Sequence, residues 1–137
     1  MTGYLLDTNV VSELRKPKPH GAVVAWLSRL NAGQLFLSAI TLGEMQTGVE
    51  RTRRQDPAKA REIEIWIESL EQAHQVLSMD AACCREWGRL VDRRPDDLIE
   101  DAMIAATARV HGLIVATRNE RHFRQLDVEL VNPFRSS

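Results

Sequence analysis

The sequence predicts an α/β domain of three layers, in which helices cover both faces of a central, mostly parallel sheet of about five short strands. Short apolar runs alternate along the chain with stretches whose apolar residues recur at helical spacing. Residues 113–116 are continuously apolar, which is typical of a strand buried on both faces of a parallel sheet. Residues 1–137 contain neither repeats nor linker-like segments, so we expect one domain.

The predicted strands are short apolar runs next to polar or turn-forming residues, and they lie at residues 4–6, 35–37, 75–77, 113–116 and 128–131. Helices are predicted between them, over about residues 9–15, 20–30, 41–51, a longer stretch around 63–70, then 80–91 and 98–111.

Local residues indicate where several of these helices begin and end. Pro17 ends the first helix, and Thr41 is expected to open the third. Ser78 or Asp80 can cap the helix that runs to about residue 91. The last long helix is apolar nearly all round, which predicts a deeply packed position, and Gly112 fits its end.

The charge and composition limit the possible functions. Hydrophobic residues make up 44% of the chain, enough for a real core. The formal net charge of -1 argues against a protein that coats nucleic acid through bulk positive charge. It leaves room for an enzyme that reaches phosphates through metal ions and a local basic rim.

The cysteines and the N-terminal residues predict a cytoplasmic protein. Cys83 and Cys84 are neighbours, which rarely bridge to one another, and they lack the spacing of zinc ligands. We expect one or both to be small core residues of a helix in a reducing compartment. The sequence begins without the features of a secretion signal, and no apolar run approaches the roughly 20 residues that cross a bilayer.

Three acidic residues are expected beyond the carboxyl ends of the strands, where open parallel sheets form their sites. Asp7 directly follows the first strand, Glu44 lies one turn into the helix after the second, and Asp101 lies near the start of the alanine-rich helix. Polar residues 117–119 follow the strongest strand. Three carboxylates in one crevice repel each other, and a hard cation such as Mg²⁺ would remove that conflict and activate a water.

Each of these side chains also has an ordinary structural role. Asp7 can cap a helix, and Glu44 completes a capping box that begins at Thr41. Asp101 suits the dipole of a helix in its first turn, and Asn119 can be a turn residue. Spacing alone therefore leaves both a metal site and a set of helix caps open.

Five segments occur in the order and at the spacing of a known family: YLLDTNVVSEL (4–14), SAITLGEM (38–45), EDAMIAATA (100–108), TRNERHF (117–123), and an ending with Leu126, Val128 and Asn132-Pro133-Phe134. Together they resemble the PIN-domain nucleases, and within them the VapC-type toxins of bacterial toxin–antitoxin pairs. The resemblance covers nearly the whole chain.

The resemblance implies a metal-dependent endoribonuclease that hydrolyses RNA by metal-activated water. By motif position Asp7, Glu44 and Asp101 would be ligands of Mg²⁺, for which Mn²⁺ is a possible substitute. Asn119 would complete the catalytic set where many members carry a fourth acid, but an amide brings no charge. Glu100 points away from Asp101 on a helix, so we expect it to face solvent or contribute little.

Residues beside this set would support it or contact RNA. Thr8 and Thr117 would orient waters or carboxylates, although either can equally be a cap. Arg118 and Arg121 flank the expected site and are the better candidates for phosphate contact, whereas His122 is expected to be structural. A set of earlier basic residues either lines an RNA path or forms a solvated surface, namely Arg15, Lys16, Lys18, Arg51, Arg53 and Arg54.

The resemblance also implies protein partners. A cognate VapB-type antitoxin would lay a segment into a groove near the active site, and a homodimer would combine with it as a heterotetramer or hetero-octamer. Six apolar residues on the early helices fit either such a groove or the core: Trp26, Leu27, Leu30, Ile63, Trp66 and Ile67.

Two other functions compete with the nuclease. A catalytically weak or inactive PIN-fold module that binds RNA or protein is favoured by the neutral Asn119, but the three intact acids argue against it. A metal-dependent phosphatase or phosphotransferase is disfavoured, because Thr8 and Asn9 follow Asp7 where that class has Asp-x-Asp.

Overall fold

The computed structural model describes residues 1–135, which fold around one five-stranded sheet. The strands are Tyr4–Leu6 (β1), Leu35–Ser38 (β2), Gln75–Leu77 (β3), Ile114–Ala116 (β4) and Leu130–Val131 (β5). All neighbouring strands are parallel, in the order β3-β2-β1-β4-β5. The order reverses at β1, so the crevice between the carboxyl ends of β1 and β4 is where such a sheet binds ligands.

Helices connect the strands on both sides of the sheet. The α-helices are Thr8–Glu13 (α1), Gly21–Ser28 (α2), Ala39–Arg53 (α3), Pro57–Ala73 (α4), Ala81–Val91 (α5), Ile99–His111 (α6) and Glu120–Phe123 (α7). Short 3₁₀ turns lie at Ala32–Gln34, Asp96–Leu98 and Arg124–Leu126.

The core has one cluster on each face of the sheet and a third, smaller cluster between α3 and α4. Successive residues of a strand point to opposite faces, and Leu5 of β1 accordingly packs with α5 and α6, whereas Leu6 packs with α1 and α2. Val115 and Ala116 of β4 divide in the same way. The predicted three-layer α/β/α fold is therefore confirmed.

Helix α6 lies in one of these clusters, as its composition predicts. A continuous run of its side chains is buried, Ile104, Ala105, Ala106, Thr107 and Ala108. The small alanines let the helix approach the sheet closely. Gly112 ends the helix in the left-handed conformation, with φ of 66°.

The start of α3 differs from the sequence prediction. The helix begins at Ala39 rather than Thr41, because the side chain of Ser38 accepts the Ile40 backbone N–H at 3.1 Å and acts as the cap. Thr41 is buried inside the first turn. The predicted capping box between Thr41 and Glu44 is therefore wrong, and Glu44 needs another explanation.

The first helix also ends earlier than predicted, at Glu13. The Glu13 carboxylate is buried, accepts the backbone N–H of His20 at 2.9 Å and pairs with Lys16. A side chain thus fixes the path of the proline-containing loop between α1 and α2. Within residues 1–135 no helix combines the length and apolar character that a bilayer span requires.

Two glycines with open space around them provide a matched test of the backbone. Gly88 lies inside α5 and Gly112 ends α6, and a Cβ atom at either would meet nothing within 4 Å. Gly88→Ala should raise the free energy of unfolding by about 0.5–1 kcal/mol, because alanine loses less backbone entropy in a helix. Gly112→Ala should lower it by about 1 kcal/mol, since alanine is strained at positive φ. Urea denaturation measures both, and equal effects of the two variants would contradict this account.

Candidate active site

Asp7 is the buried centre of the site. It follows β1 directly, is only 8% exposed and caps α1. Its Oδ1 accepts the backbone N–H of Thr8 at 2.9 Å, and its Oδ2 accepts the side chains of Thr117 at 2.7 Å and Asn9 at 3.2 Å. Thr117 follows β4, the neighbour of β1, so sheet pairing brings it to Asp7. The cap predicted for Asp7 and a place in the site are thus compatible.

The charged form of Asp7 is poorly stabilised despite these hydrogen bonds. Burial raises the pKa of its carboxyl, and the nearby charge of Asp101 adds to the rise. The hydrogen bonds from Thr117 and Thr8 act in the opposite direction without cancelling it. A bound cation would provide the missing positive charge.

Glu44 lies beside Asp7, on the second turn of α3. The pKa of its carboxyl is raised to about 7, first by burial and then by the charges of Glu100, Asp7 and Asp101 in that order. The Thr8 hydroxyl donates to Oε2 at 3.5 Å, a weak contact. Glu44 therefore belongs electrostatically to the same group as Asp7 and Asp101.

Asp101 is held by a residue that the sequence interpretation considered only structural. Nδ1 of His122 lies 2.7 Å from Oδ2 of Asp101 and 2.9 Å from the side-chain nitrogen of Asn119. Asn119 also donates its backbone N–H to Thr117 at 2.9 Å, which links this group to Asp7. His122 lies three residues after Asn119 in a helix, and this one-turn spacing is the signal that could have found it.

Glu100 is the other residue that sequence reasoning underestimated. It is exposed, as expected, but it lines two adjoining cavities. One, of about 480 Å³, also contains Asp101 and His122, and the other, of about 230 Å³, contains Glu44 and Arg51. Glu100 is also the charged group with the largest effect on the pKa of Glu44. It therefore contributes a fourth negative charge that Asn119 does not supply.

The donors of the site fit a hard divalent cation. They are carboxylate oxygens, the ligand type that Mg²⁺ and Mn²⁺ prefer, and the pKa values of Asp7 and Glu44 are raised by burial and by the neighbouring carboxylates, both of which a cation would offset. Among the described residues, Asp7, Glu44 and Asp101 do not bring one oxygen each to within 4.8 Å of the others.

The arginines near the site differ in how free they are to meet a phosphate. The Arg118 guanidinium lies over the ring of Phe134, 4.2 Å from its centroid, and Arg121 is exposed on α7. Arg51 lines the cavity that holds Glu44. Arg53 is instead paired with Glu50 and Glu64, at 3.0 and 2.9 Å, as in a solvated charged surface.

Apolar residues of the early helices contact the core, and three of them also line a groove; Ile67 is itself buried. Trp26 and Leu27 pack against the core cluster that contains Leu6. Ile63, Trp66 and Ile67 of α4 line a cavity of about 290 Å³ between α1, α3 and α4. Thr8 reaches this cavity too, so the groove adjoins the acidic site.

The fold and the acidic crevice at the sheet's reversal point define a class of nucleases. The family model described as the PIN domain matches residues 4–129. The chain therefore belongs to the PIN-domain family, and the resemblance seen in its motifs is confirmed.

Similar proteins are toxins and ribonucleases by name. Toxin FitB of Neisseria gonorrhoeae is 34% identical over 140 residues, covering 95% of this chain and 97% of that protein. VapC ribonuclease Y4jK of Sinorhizobium fredii is 36% identical over 140 residues, with 95% and 96% covered. A solved structure of FitAB bound to a DNA fragment matches with a TM-score of 0.86 and 32% identity, over 98% of this chain and 97% of that one.

The raised pKa of Glu44 predicts how the stability of the metal-free protein depends on pH. Between pH 4.5, the ordinary value, and about 7, the folded protein binds more protons than the unfolded chain, so the free energy of unfolding falls as pH rises. Solvent screening of this half-buried group leaves an effect of about 1–2 kcal/mol. Glu44→Gln should flatten the fall in denaturation with chelator present, whereas Glu71→Gln, at an exposed position of α4, should not. A slope unchanged by Glu44→Gln would contradict the shift.

Proposed function

We propose that this protein is a metal-dependent endoribonuclease toxin, one half of a toxin–antitoxin pair, which hydrolyses phosphodiester bonds in RNA. The observation that supports the proposal is the electrostatic coupling of Asp7, Glu44 and Asp101 near the reversal point of the sheet: Asp7 and Glu44 have pKa values raised first by burial and then by neighbouring carboxylates. The name of VapC ribonuclease Y4jK supports RNA as the substrate, and the name of Toxin FitB supports a toxin; this chain spans nearly the whole length of both.

Asp7, Glu44 and Asp101 would hold Mg²⁺, or Mn²⁺ in its place. When bound, such an ion makes its water easier to deprotonate, and thus a better nucleophile toward phosphorus, and it neutralises charge that develops on the phosphate oxygens. Asp7 has the least freedom, because Thr117 and Thr8 fix both of its oxygens. It would therefore set the position of the site, while Glu44 and Asp101 adjust to it.

The side chains around these ligands would orient them and the RNA. His122 holds Asp101 from one side, and Asn119 links His122 to Thr117. As a neutral catalytic-set residue, Asn119 would position water or phosphate rather than bind the ion through a charge. Arg51 borders the acidic site, and Arg121 extends from α7 beside it, so both would meet the RNA backbone. Arg118 instead stacks on the ring of Phe134.

We further propose that a VapB-type antitoxin inhibits the enzyme through the groove formed by α1, α3 and α4. Its apolar lining suits an amphipathic segment, and Arg15 adds a positive charge at the cavity wall. The FitAB structure, similar over 98% of this chain, supports such a partner. A homodimer that joins antitoxin as a heterotetramer or hetero-octamer, acting in the cytoplasm, completes the proposal.

A binding module without activity is the second candidate function. It is favoured by Asn119, which brings no charge to the fourth corner. Glu100 weakens this alternative, since its carboxylate acts on Glu44 from the edge of the same crevice.

Removal of the ligand charges tests the nuclease. Asp7→Asn and Asp101→Asn should each reduce Mg²⁺-dependent cleavage of RNA by about 100-fold or more, because each removes a charge that holds the ion. Gel assays on a mixed RNA pool, with Mg²⁺ or chelator, measure the loss, and circular dichroism confirms that the variants fold. Asp92→Asn, exposed beyond α5, is the matched control and should cleave normally.

The outcomes separate the candidates. Cleavage that persists in chelator would overturn the metal mechanism. Absence of cleavage in the unaltered protein, with RNA binding retained, would favour the binding module.

A further inference from the structure

A second group of metal-binding side chains lies away from the acidic crevice, where the start of α5 meets the end of α6. Asp80 caps α5, Cys83 lies in its first turn, and His111 is the last residue of α6. One carboxylate oxygen, the thiol sulfur and one imidazole nitrogen all lie within 4.8 Å of one another. Within residues 1–135 no other three His, Cys, Asp or Glu side chains approach this closely.

The two adjacent cysteines differ sharply in this arrangement. Cys83 is fully buried and points toward Asp80 and His111, and its backbone N–H donates to Oδ1 of Asp80 at 3.0 Å. Cys84 is exposed, and its thiol lies 3.5 Å from the backbone carbonyl of Met79. A helix places consecutive side chains about 100° apart, so only one of the pair can face the cluster.

We propose that Asp80, Cys83 and His111 form a site for one borderline transition-metal ion of the Zn²⁺ class. Thiolate, imidazole and carboxylate are the ligands that Zn²⁺ takes, and three protein ligands with one open position is a common arrangement. Mg²⁺ would bind this site weakly, because it prefers oxygen atoms as all of its ligands. The sequence shows no zinc-binding spacing, because only one of the two cysteines takes part and His111 comes from a different helix.

The geometry needs only a small adjustment to bind such an ion. Zn–S and Zn–N bonds of about 2.3 and 2.0 Å put tetrahedral ligand atoms about 3.5 Å apart. The ligand atoms lie within 4.8 Å of one another, so they must close by no more than about 1.3 Å. The buried Cys83 provides a fixed anchor and His111 is exposed, whereas Asp80 keeps Oδ1 on the Cys83 backbone N–H, so its other oxygen would meet the ion.

The site is independent of the acidic crevice and of the proposed nuclease function. Asp101 and His111 are ten residues apart on α6, which corresponds to about 15 Å along the helix axis. An ion held at the far end would join α5 to α6. Binding would therefore stabilise the fold by RT ln(1 + c/Kd), a gain that grows with the concentration c of the ion.

Titration of the full-length protein with Co²⁺ alone tests the proposal. A cobalt–thiolate bond gives a charge-transfer band in the near ultraviolet, which oxygen ligands in the acidic crevice cannot produce. We expect the band to saturate at one equivalent and to vanish when Zn²⁺ displaces Co²⁺. Cys83→Ser should abolish it, whereas Cys84→Ser should keep it.

A second variant keeps the test valid if Cys83→Ser fails to fold. His111→Asn changes an exposed residue, and it should weaken Co²⁺ binding by at least roughly tenfold and remove the rise in melting temperature that Zn²⁺ gives. RNA cleavage in Mg²⁺ should remain unchanged in this variant. Absence of the band in the unaltered protein, equal loss in the two cysteine variants, or full binding by His111→Asn would each overturn the site and leave Cys83 as a buried thiol that only extends the Asp80 cap.

Discussion

The hydrogen bond from Thr117 to Asp7 is the contact on which the rest of the site depends. It joins the carboxyl ends of β1 and β4, the two strands between which the sheet changes direction. Because β1 and β4 pair in parallel, Leu6 lies opposite Ala116, and the residues that follow each strand must meet. Asn9 and Asn119 both donate to the Thr117 hydroxyl, so one side chain joins the start of α1 to the start of α7.

Repulsion among carboxylates is the cost of this arrangement and also the source of its chemistry. Burial is the largest cause of the raised pKa of Asp7 and of Glu44, and the charges of neighbouring carboxylates raise both pKa values further. A fold that keeps such groups together without a cation loses stability as they ionise. The same groups gain most when a divalent ion arrives, because the ion relieves both desolvation and repulsion. The loss of stability without the ion and the affinity for the ion therefore have the same physical origin.

The sequence predicts much of the fold because periodicity and strand order are local properties with few solutions. Strand β4, the apolar helix α6 and the position of Asp7 at the end of β1 all follow from patterns within a few residues. The failures are tertiary. Ser38 rather than Thr41 caps α3, because the strand carries on to Ser38 and leaves its hydroxyl facing the helix start. The contact of Cys83 with His111 joins separate elements, so spacing along the chain carries no record of it. The contact of His122 with Asp101 also joins separate elements, and only the one-turn spacing from Asn119 to His122 hints at it. Glu100 is exposed, as its direction on the helix predicts, but its effect on the pKa of Glu44 depends on how α3 and α6 pack and does not follow from spacing along the chain.

The charges of the site are graded by exposure, and this grading explains how a neutral Asn119 is tolerated. Asp7 is buried, Glu44 and Asp101 are half-buried, and Glu100 is exposed. Salt screens exposed charges over about 8 Å at physiological ionic strength, but it screens buried ones far less. An acid at the position of Asn119 would add repulsion beside Asp101, within the network that His122 and Thr117 maintain. Glu100 acts from the solvent edge, where screening lowers the cost of its repulsion. The fourth charge is thus screened by solvent, whereas the charge of the buried Asp7 is not.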